Sequence, residues 1–388
     1  MSAARGPSPV RRVCFVTGTR AEFGLMRSTL LAVAAHRQLD LQLVVTGMHL
    51  DRSRGKSLDR IHAEGWKVAA VVPWPKGDDR PASAAVATGK AMANLAGVFE
   101  KLGSDIVLVV GDRVEAFAAA SAAHVSGRLV AHVHGGDRAL GLVDDSLRHA
   151  ISKLAHVHFP ATKLSAQRLE KMGEDRWRIQ CNGSPGLDDI HTSAAPRAKL
   201  LREFPSLRPR RYALAVLHPE TSDPRHEARS ARLLLGAVEA CGVGRIVIVY
   251  PNNDPGSEGI AAAWSALPQD TPHVIRRDLS RPLFLGLLRD AAMLAGNSSS
   301  GIIEAASFGT PVLNVGTRQA GREHGRNVVH APFDAAALRK SLARMWNRGD
   351  PLRHPEKNPY GSGGAARRIA TALARIQPDR FRRKLIAY

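Results

Sequence analysis

Four carboxylates crowd one short stretch of the chain: Asp112, Asp137, Asp144 and Asp145. Asp112 follows Gly111 at the end of the apolar run DIVLVVGD, and Asp137 directly follows the next such run, RLVAHVHGG. If these runs are neighbouring parallel strands, their ends bring the two acids close. Paired carboxylates in a cleft can hold protons with different affinity and divide acid and base work between them. Asp144 or Asp145 occupies the start of the following helical stretch, where Asp144 equally suits an N-cap. His218 comes after the run YALAVL and before Pro219, placed for catalysis or for binding a phosphate. His49 and His134 also stand at strand ends.

A second group suits an anion. GNSSSGIIE (Gly296–Glu304) sets a glycine and three serines at the start of a predicted helix. Free N–H groups at a helix start, joined by the hydroxyls of Ser298 and Ser299, make a diphosphate cradle. Ser298 serves equally as a plain N-cap. Glu304 can accept hydrogen bonds from two ribose hydroxyls, or simply complement the helix dipole. Arg20, Arg113, Arg318 and Arg322 lie on strand-end loops, where guanidinium groups can neutralise a diphosphate. PNND places Asn252 and Asp254 at one more strand end.

The elements that must position these residues follow from apolar periodicity. Buried runs such as VCFVT, LDLQLVV and DIVLVV read as parallel strands, and helical patterns separate them. Helices are predicted over about 22–36, 115–125, 144–156, 228–241, 281–290 and 301–308. The alternation predicts an α/β chain with two doubly wound parallel sheets. A Pro-, Arg- and Ser-rich stretch over 189–212 marks the boundary. The expected division is 1–200, 201–362, and a C-terminal helix and basic tail over 363–388 that returns to the first domain. In open α/β sheets, ligands bind beyond the carboxyl ends of the strands, where all of these candidates sit.

Composition narrows the functional classes. The 388 residues carry a formal net charge of +20, which invites a nucleic-acid reading. The arginines are dispersed, aromatics are only 5%, and no helix-turn-helix, RRM or KH pattern is present, so stacking platforms are lacking. No nucleic-acid partner is expected. The three cysteines are far apart and form no CxxC pair, which argues against a zinc site or a disulfide framework. The N-terminal stretch lacks the apolar core of a signal peptide, and no run of about 18 apolar residues exists. The expectation is a cytoplasmic enzyme without membrane attachment, metal or cofactor.

Taken in order, GTRAEFG, VVTGMHL, GDRVEA, HGGDR, VDDSLRHAISKLAH, HPET, YPNNDPGS, GNSSSGIIEA and GTRQAGRE carry a resemblance. The chain resembles the hydrolysing UDP-N-acetylglucosamine 2-epimerases of sialic-acid synthesis, including the epimerase half of the bifunctional animal enzyme, from about residue 13 to about 330. The resemblance implies a GT-B-like architecture, with two Rossmann-type domains around a nucleotide-sugar cleft. It also implies elimination of UDP to 2-acetamidoglucal, then addition of water to release N-acetylmannosamine. Asp112, Asp137 and Asp144 match the acid and base groups. Arg20, His218, Ser298, Ser299 and Arg318 match the diphosphate site, and Glu304 the ribose-binding acid. Asn252 and Asp254 lie in a loop that matches the family's nucleotide-sugar contacts, and His49, Arg113 and Asp145 are further substrate-binding candidates from their positions at strand ends and the helix start. A homodimer or homotetramer is implied as well. The family usually places Glu where this chain has Asp137, one methylene or about 1.5 Å shorter, and shifts near 1 Å can cost about a hundredfold in rate. Relatives acting on GDP-N-acetylglucosamine or a UDP-2,4-diacetamido-trideoxy sugar share these motifs. A GT-B glycosyltransferase is the alternative from another class.

Overall fold

Short β-branched and aliphatic runs form two six-stranded parallel sheets. The computed structural model describes residues 10–50, 57–75, 81–138, 144–251, 255–277 and 279–387. In the first sheet the strands are β1 (Arg11–Thr17), β2 (Leu39–Val45), β3 (Val68–Val71), β4 (Ile106–Val110), β5 (Leu129–Val133) and β6 (Val157–Phe159). Their spatial order is β3-β2-β1-β4-β5-β6. In the second they are β7 (Ala213–Val216), β8 (Ile246–Val249), β9 (Val274–Arg276), β10 (Met293–Gly296), β11 (Val312–Val315) and β12 (Val328–Ala331), ordered β12-β11-β10-β7-β8-β9. Each sheet winds outward from its first strand in both directions, which creates switch points between β1 and β4 and between β7 and β10. Ligands of such sheets bind beyond the strand ends at those points.

Alternation explains the layering of the first sheet. Val13 and Phe15 pack with Met26, Leu30, Ile369 and Leu373 on one face, while Cys14 and Val16 pack with Leu95, Phe99 and Ala119 on the other. Both faces are covered, so β4 and β5 are buried throughout. In the second unit Ala213, Ala215, Ile246 and Ile248 pack against Leu234, Val238 and Trp264.

The chain divides into two compact units. One comprises 1–137, 142–188 and 363–388, and the other 138–141 and 189–362. Residues 189–200, assigned from the sequence to the first domain, group with the second unit. There the Ala195 N–H donates to the Pro282 carbonyl, and the helix Arg197–Glu203 packs on the helix Arg281–Asp290. The helix Ala365–Arg375 sits in the first unit, its first N–H groups capped by Asp188 at 2.9 and 2.7 Å.

The helix expected over 228–241 starts earlier, at Pro224, because Asp223 caps it and Pro224 fits its first turn. The helix expected over 301–308 is a five-residue helix, Ser299–Ile303, followed by a 3-10 turn, Ala305–Phe308. β12 and the helix Ala335–Trp346 were not anticipated. Among the described residues no helix is long and apolar enough to cross a membrane.

Candidate active site

Asp112 stands just after β4, and Arg148 reaches it from the helix Asp144–Leu154. One guanidinium nitrogen of the buried Arg148 pairs with Asp112 Oδ2, and another donates to the His134 carbonyl at 3.0 Å. The Asp112 side chain keeps 22% exposure, against 2% for Arg148. A carboxylate held on one oxygen yet open to the outside suits proton abstraction. His132 on β5 fixes the turn that carries Asp112. Its Nε2 donates to the Gly111 carbonyl at 2.8 Å and its Nδ1 accepts from the Ser152 hydroxyl at 3.1 Å. Burial pushes this imidazole down to about 3, which keeps it neutral.

Asp137 has different surroundings. It is 2% exposed, with Oδ2 2.8 Å from His134 Nδ1 and Oδ1 accepting from the Ser165 hydroxyl at 2.7 Å. His134 Nε2 in turn meets the Ser184 hydroxyl at 3.0 Å. Each Asp137 oxygen is therefore engaged within the protein, and the strand ends place Asp112 and Asp137 in different environments. A link runs between them: Arg148 holds both Asp112 and the backbone of His134. Asp144 and Asp145 lie in the first turn of the helix Asp144–Leu154, where the dipole favours carboxylates. Asp145 Oδ2 is 3.4 Å from His149 Nε2.

The loops at the β1–β4 switch point carry Arg20 and Arg113. Arg20 opens the helix Arg20–Ala34, and Arg113 is the N-cap residue of the helix Val114–Val125. Arg113 Nε is 3.3 Å from Oε2 of the buried Glu115. Glu115 also dictates residue 18, because a Cβ there would lie 2.6 Å from Glu115 Cγ, and only glycine fits. Glu22 accepts from the Gly18 and Thr19 N–H groups at 3.0 Å each, closing a capping box with Thr19. Burial, then the Glu115 charge, push the Glu22 carboxyl up to about 7, against the pull of Arg113 and the N–H bonds. Residue by residue, neither acid was singled out, although Thr19-x-x-Glu22 is the sequence pattern of a capping box. His49 lies behind these loops, with Nε2 3.0 Å from Thr17 Oγ1 and Nδ1 2.8 Å from Ser57 Oγ. Burial pushes it down to about 4. With both ring nitrogens so engaged, its geometry is that of a loop support.

In the second unit the β7–β10 switch point gathers most of the remaining candidates. Gly296 ends β10 at φ 144°, and a Cβ there would meet the Val216 carbonyl oxygen at 1.9 Å. The next residue, Asn297, is fully buried. Its Oδ1 accepts from the His218 N–H at 2.8 Å and its Nδ2 donates to the His218 carbonyl at 2.9 Å, tying the two loops together. The Asn297 carbonyl accepts from Gln319 Nε2 at 3.0 Å and from Arg318 at 3.4 Å. Glu220 takes the N–H groups of Thr317 and Arg318 at 2.7 Å each, which fixes the loop that presents the Arg318 guanidinium. Burial, then the Arg318 charge, push His218 down to about 3. It is a neutral imidazole and can offer one N–H to a phosphate oxygen. Asn297, Glu220 and Gln319 lie within the motifs GNSSSGIIEA, HPET and GTRQAGRE, but no residue pattern marks them as the ties that hold these loops.

Ser298 caps the five-residue helix, its hydroxyl accepting from the Ser300 N–H at 3.3 Å, and Ser299 is that helix's first residue. Glu304 closes the same helix rather than standing in its first turn, since the helix starts two residues earlier than expected. It is buried, and Arg281 holds its Oε1 at 2.6 Å. One carboxylate oxygen thus carries the ion pair. Asn252 and Asp254 lie outside the described residues. Among the described residues, no group of three or more His, Cys, Asp or Glu side chains is placed to hold a metal ion.

Twin Rossmann sheets, with a carboxylate–arginine pair at one switch point and hydroxyls and guanidinium groups at the other, define an enzyme that works on a nucleotide sugar. A family model described as UDP-N-acetylglucosamine 2-epimerase matches residues 31–374, and the chain belongs to that family. It is 35% identical over 368 residues to the hydrolysing UDP-N,N'-diacetylbacillosamine 2-epimerase of Legionella pneumophila, covering 95% of this chain and 96% of the relative. It is 34% identical to the UDP-N-acetylglucosamine 2-epimerase of Neisseria meningitidis, over 88% of this chain and 89% of that one. A solved UDP-GlcNAc 2-epimerase from Neisseria meningitidis, bound to UDP-GlcNAc, superposes with a TM-score of 0.80 at 20% identity, over 93% and 99% of the two chains. The chain is therefore a hydrolysing nucleotide-sugar 2-epimerase with a GT-B-like fold.

Proposed function

We propose that the chain converts UDP-N-acetylglucosamine to UDP and free N-acetylmannosamine, feeding sialic-acid or related nonulosonic-acid synthesis. The observation that carries this reading is the Asp112–Arg148 pair at the end of β4: a carboxylate oriented on one side and open on the other. Asp112 removes the C2 proton. The C2–H electron pair becomes the C1=C2 double bond, and UDP leaves with the C1–O pair. Water then adds its hydroxyl at C1, while C2 takes a proton on the opposite face. Asp144, at the helix start, is the second carboxylate in this scheme, with Asp145 and Arg113 as sugar contacts. Asp137 holds His134 in place.

His218, Arg318, Ser298 and Ser299 receive the diphosphate, and Arg20 adds positive charge. Glu304 accepts the ribose hydroxyls. Charge on the departing diphosphate is met by fixed donors, the arrangement that stabilises a leaving group most effectively.

A second substrate is favoured by one observation. The Legionella relative, named for a diacetylated sugar, is matched at 35% over 95% of this chain, level with the Neisseria enzyme. The UDP-2,4-diacetamido-trideoxy sugar is the alternative. Product mass spectrometry on a panel of UDP- and GDP-amino sugars decides between them. An intact nucleotide–sugar bond with every substrate refutes both.

The residue assignment has its own check. Asp112→Asn is expected to lower kcat by about 10³-fold while UDP affinity stays within about twofold. A near-normal rate removes Asp112 from the chemistry.

A further inference from the structure

The helix Asp144–Leu154 carries Asp144 and Asp145 at one end and Arg148, the partner of Asp112, in its middle. Its other end is held by the C-terminal tail. Lys384 Nζ donates to the carbonyls of Lys153 at 2.7 Å and Ala155 at 2.6 Å, with Ser152 at 3.1 Å. It also pairs with Glu174 Oε2 at 2.7 Å, in a carboxylate whose side chain is fully buried. An ammonium against the last carbonyls satisfies groups the helix leaves unpaired and complements the negative end of its dipole.

The tail is fastened on either side of Lys384. The buried Arg178 donates to the His156 carbonyl and, from the tail, to the carbonyls of Phe381 and Arg383. Phe381 packs edge-on against Trp177 and enters the core of the first sheet. Beyond Lys384, the Ala387 N–H donates to the Gly173 carbonyl at 2.9 Å. A tail attached at so many points, around one buried ammonium, is a fixed part of the helix support.

We propose that Lys384 is a positioning residue for the epimerase reaction, setting the helix that presents Asp144 and orients Asp112 through Arg148. This rests on the roles given above to Asp112 and Asp144. Eleven helical residues span about 16 Å, so Lys384 acts through the helix and not on the substrate. A displacement near 1 Å at reacting groups can cost about a hundredfold.

The ammonium faces Glu174, Lys153, Arg178, His158 and His156. Burial lowers Lys384 to about 8, while Glu174 opposes that shift. As pH rises through about 8 the amine loses a proton, and with it the charge and one of its donors. Because the folded site binds this proton less tightly than water does, losing it does not oppose docking of the tail, and the arrangement persists above that value.

The test uses the full chain with Lys384→Met and Lys384→Arg. Lys384→Met is expected to lower kcat by about 10- to 100-fold, with KM and UDP affinity within about twofold. Its amide exchange over 144–154 is expected to accelerate. Lys384→Arg is expected to restore kcat, because a guanidinium keeps the positive charge and the donors at the helix end. Unchanged exchange over 144–154 in Lys384→Met overturns the proposal. So does a parallel loss of UDP affinity, which would show general unfolding. If the wild-type chain turns over no nucleotide sugar, the functional reading fails, and the exchange comparison still decides whether the tail sets the helix.

Discussion

Asp137 shows how much a single methylene can matter. Its carboxylate is enclosed by His134 and Ser165, and the side chain has no exposed surface to move into. A longer acid must displace one of these partners or push the backbone of the HGGDR turn. Asp137→Glu is therefore expected to cost about 1–3 kcal/mol, as overpacking does. Urea unfolding followed by fluorescence reads that cost. A variant as stable as the wild type and at least as fast would show that the site readily accepts the longer acid, contrary to this geometry. The strand end that carries Asp137 was legible in the sequence, because GGD after an apolar run marks it. The enclosure was not legible, since Ser165 and Ser184 come from distant segments. For the same reason Arg148 was missed: it lies mid-helix in VDDSLRHAISKLAH, and its partner Asp112 is supplied by β4.

Strand ends and the loops beyond them are the elements that make the site. The buried apolar runs allowed the central strands to be placed from the sequence, since parallel strands covered on both faces leave near-continuous aliphatic stretches, while the partly exposed β3 and β9 are marked only by short apolar runs. β12 gives a weaker signal: Val329 and His330 are exposed, and a histidine interrupts the short run VVHA. Spatial order could not be read from local pattern either, and it is the order that puts the β7 loop beside the β10 loop. Those two loops are joined by Asn297 through reciprocal bonds to the His218 backbone. Asn297→Ala leaves a buried N–H and a buried C=O unpaired, at about 1–3 kcal/mol each. Calorimetry is expected to show a lower Tm and weaker UDP binding. Asn297→Asp is expected to be worse for UDP, because it cannot donate to the His218 carbonyl and brings a negative charge beside the residues proposed to receive the diphosphate. Equal UDP affinity in all three proteins would mean that the loop tie plays no part in nucleotide binding.

Across the whole molecule, the +20 charge takes on a different meaning once the cations are located. Many of them face carbonyl oxygens, Arg178 doing so in addition to its pair with Asp175. Arg178 binds three backbone carbonyls, and Arg353 binds those of Arg289 and Ala291 as well as the Thr310 hydroxyl. Arg128 donates to the Ser104 carbonyl, Arg245 to Pro272, Arg211 to Gly349 and Arg368 to Asn182 and Gly363. A guanidinium that closes a loop or a helix end in this way does structural duty without consuming an acid, so net positive charge accumulates. Its donors are then engaged on the protein's own carbonyls, even where, as at Arg211 and Arg368, the residue itself is exposed. A polyanion needs a track of outward donors spaced along its phosphates, and each phosphate neutralised adds close to one unit to the slope of log affinity against log salt. Charges spent on internal carbonyls at scattered positions do not supply such a track. Duplex DNA is therefore expected to give no complex in a mobility-shift assay at about 0.15 M salt. For the nucleotide sugar, with two phosphates, log kcat/KM is expected to fall with log salt no more steeply than about two units. A DNA complex that survives at that salt concentration, or a slope corresponding to many phosphates, would show that the arginines form a continuous outward surface, contrary to the scattered carbonyl contacts described above.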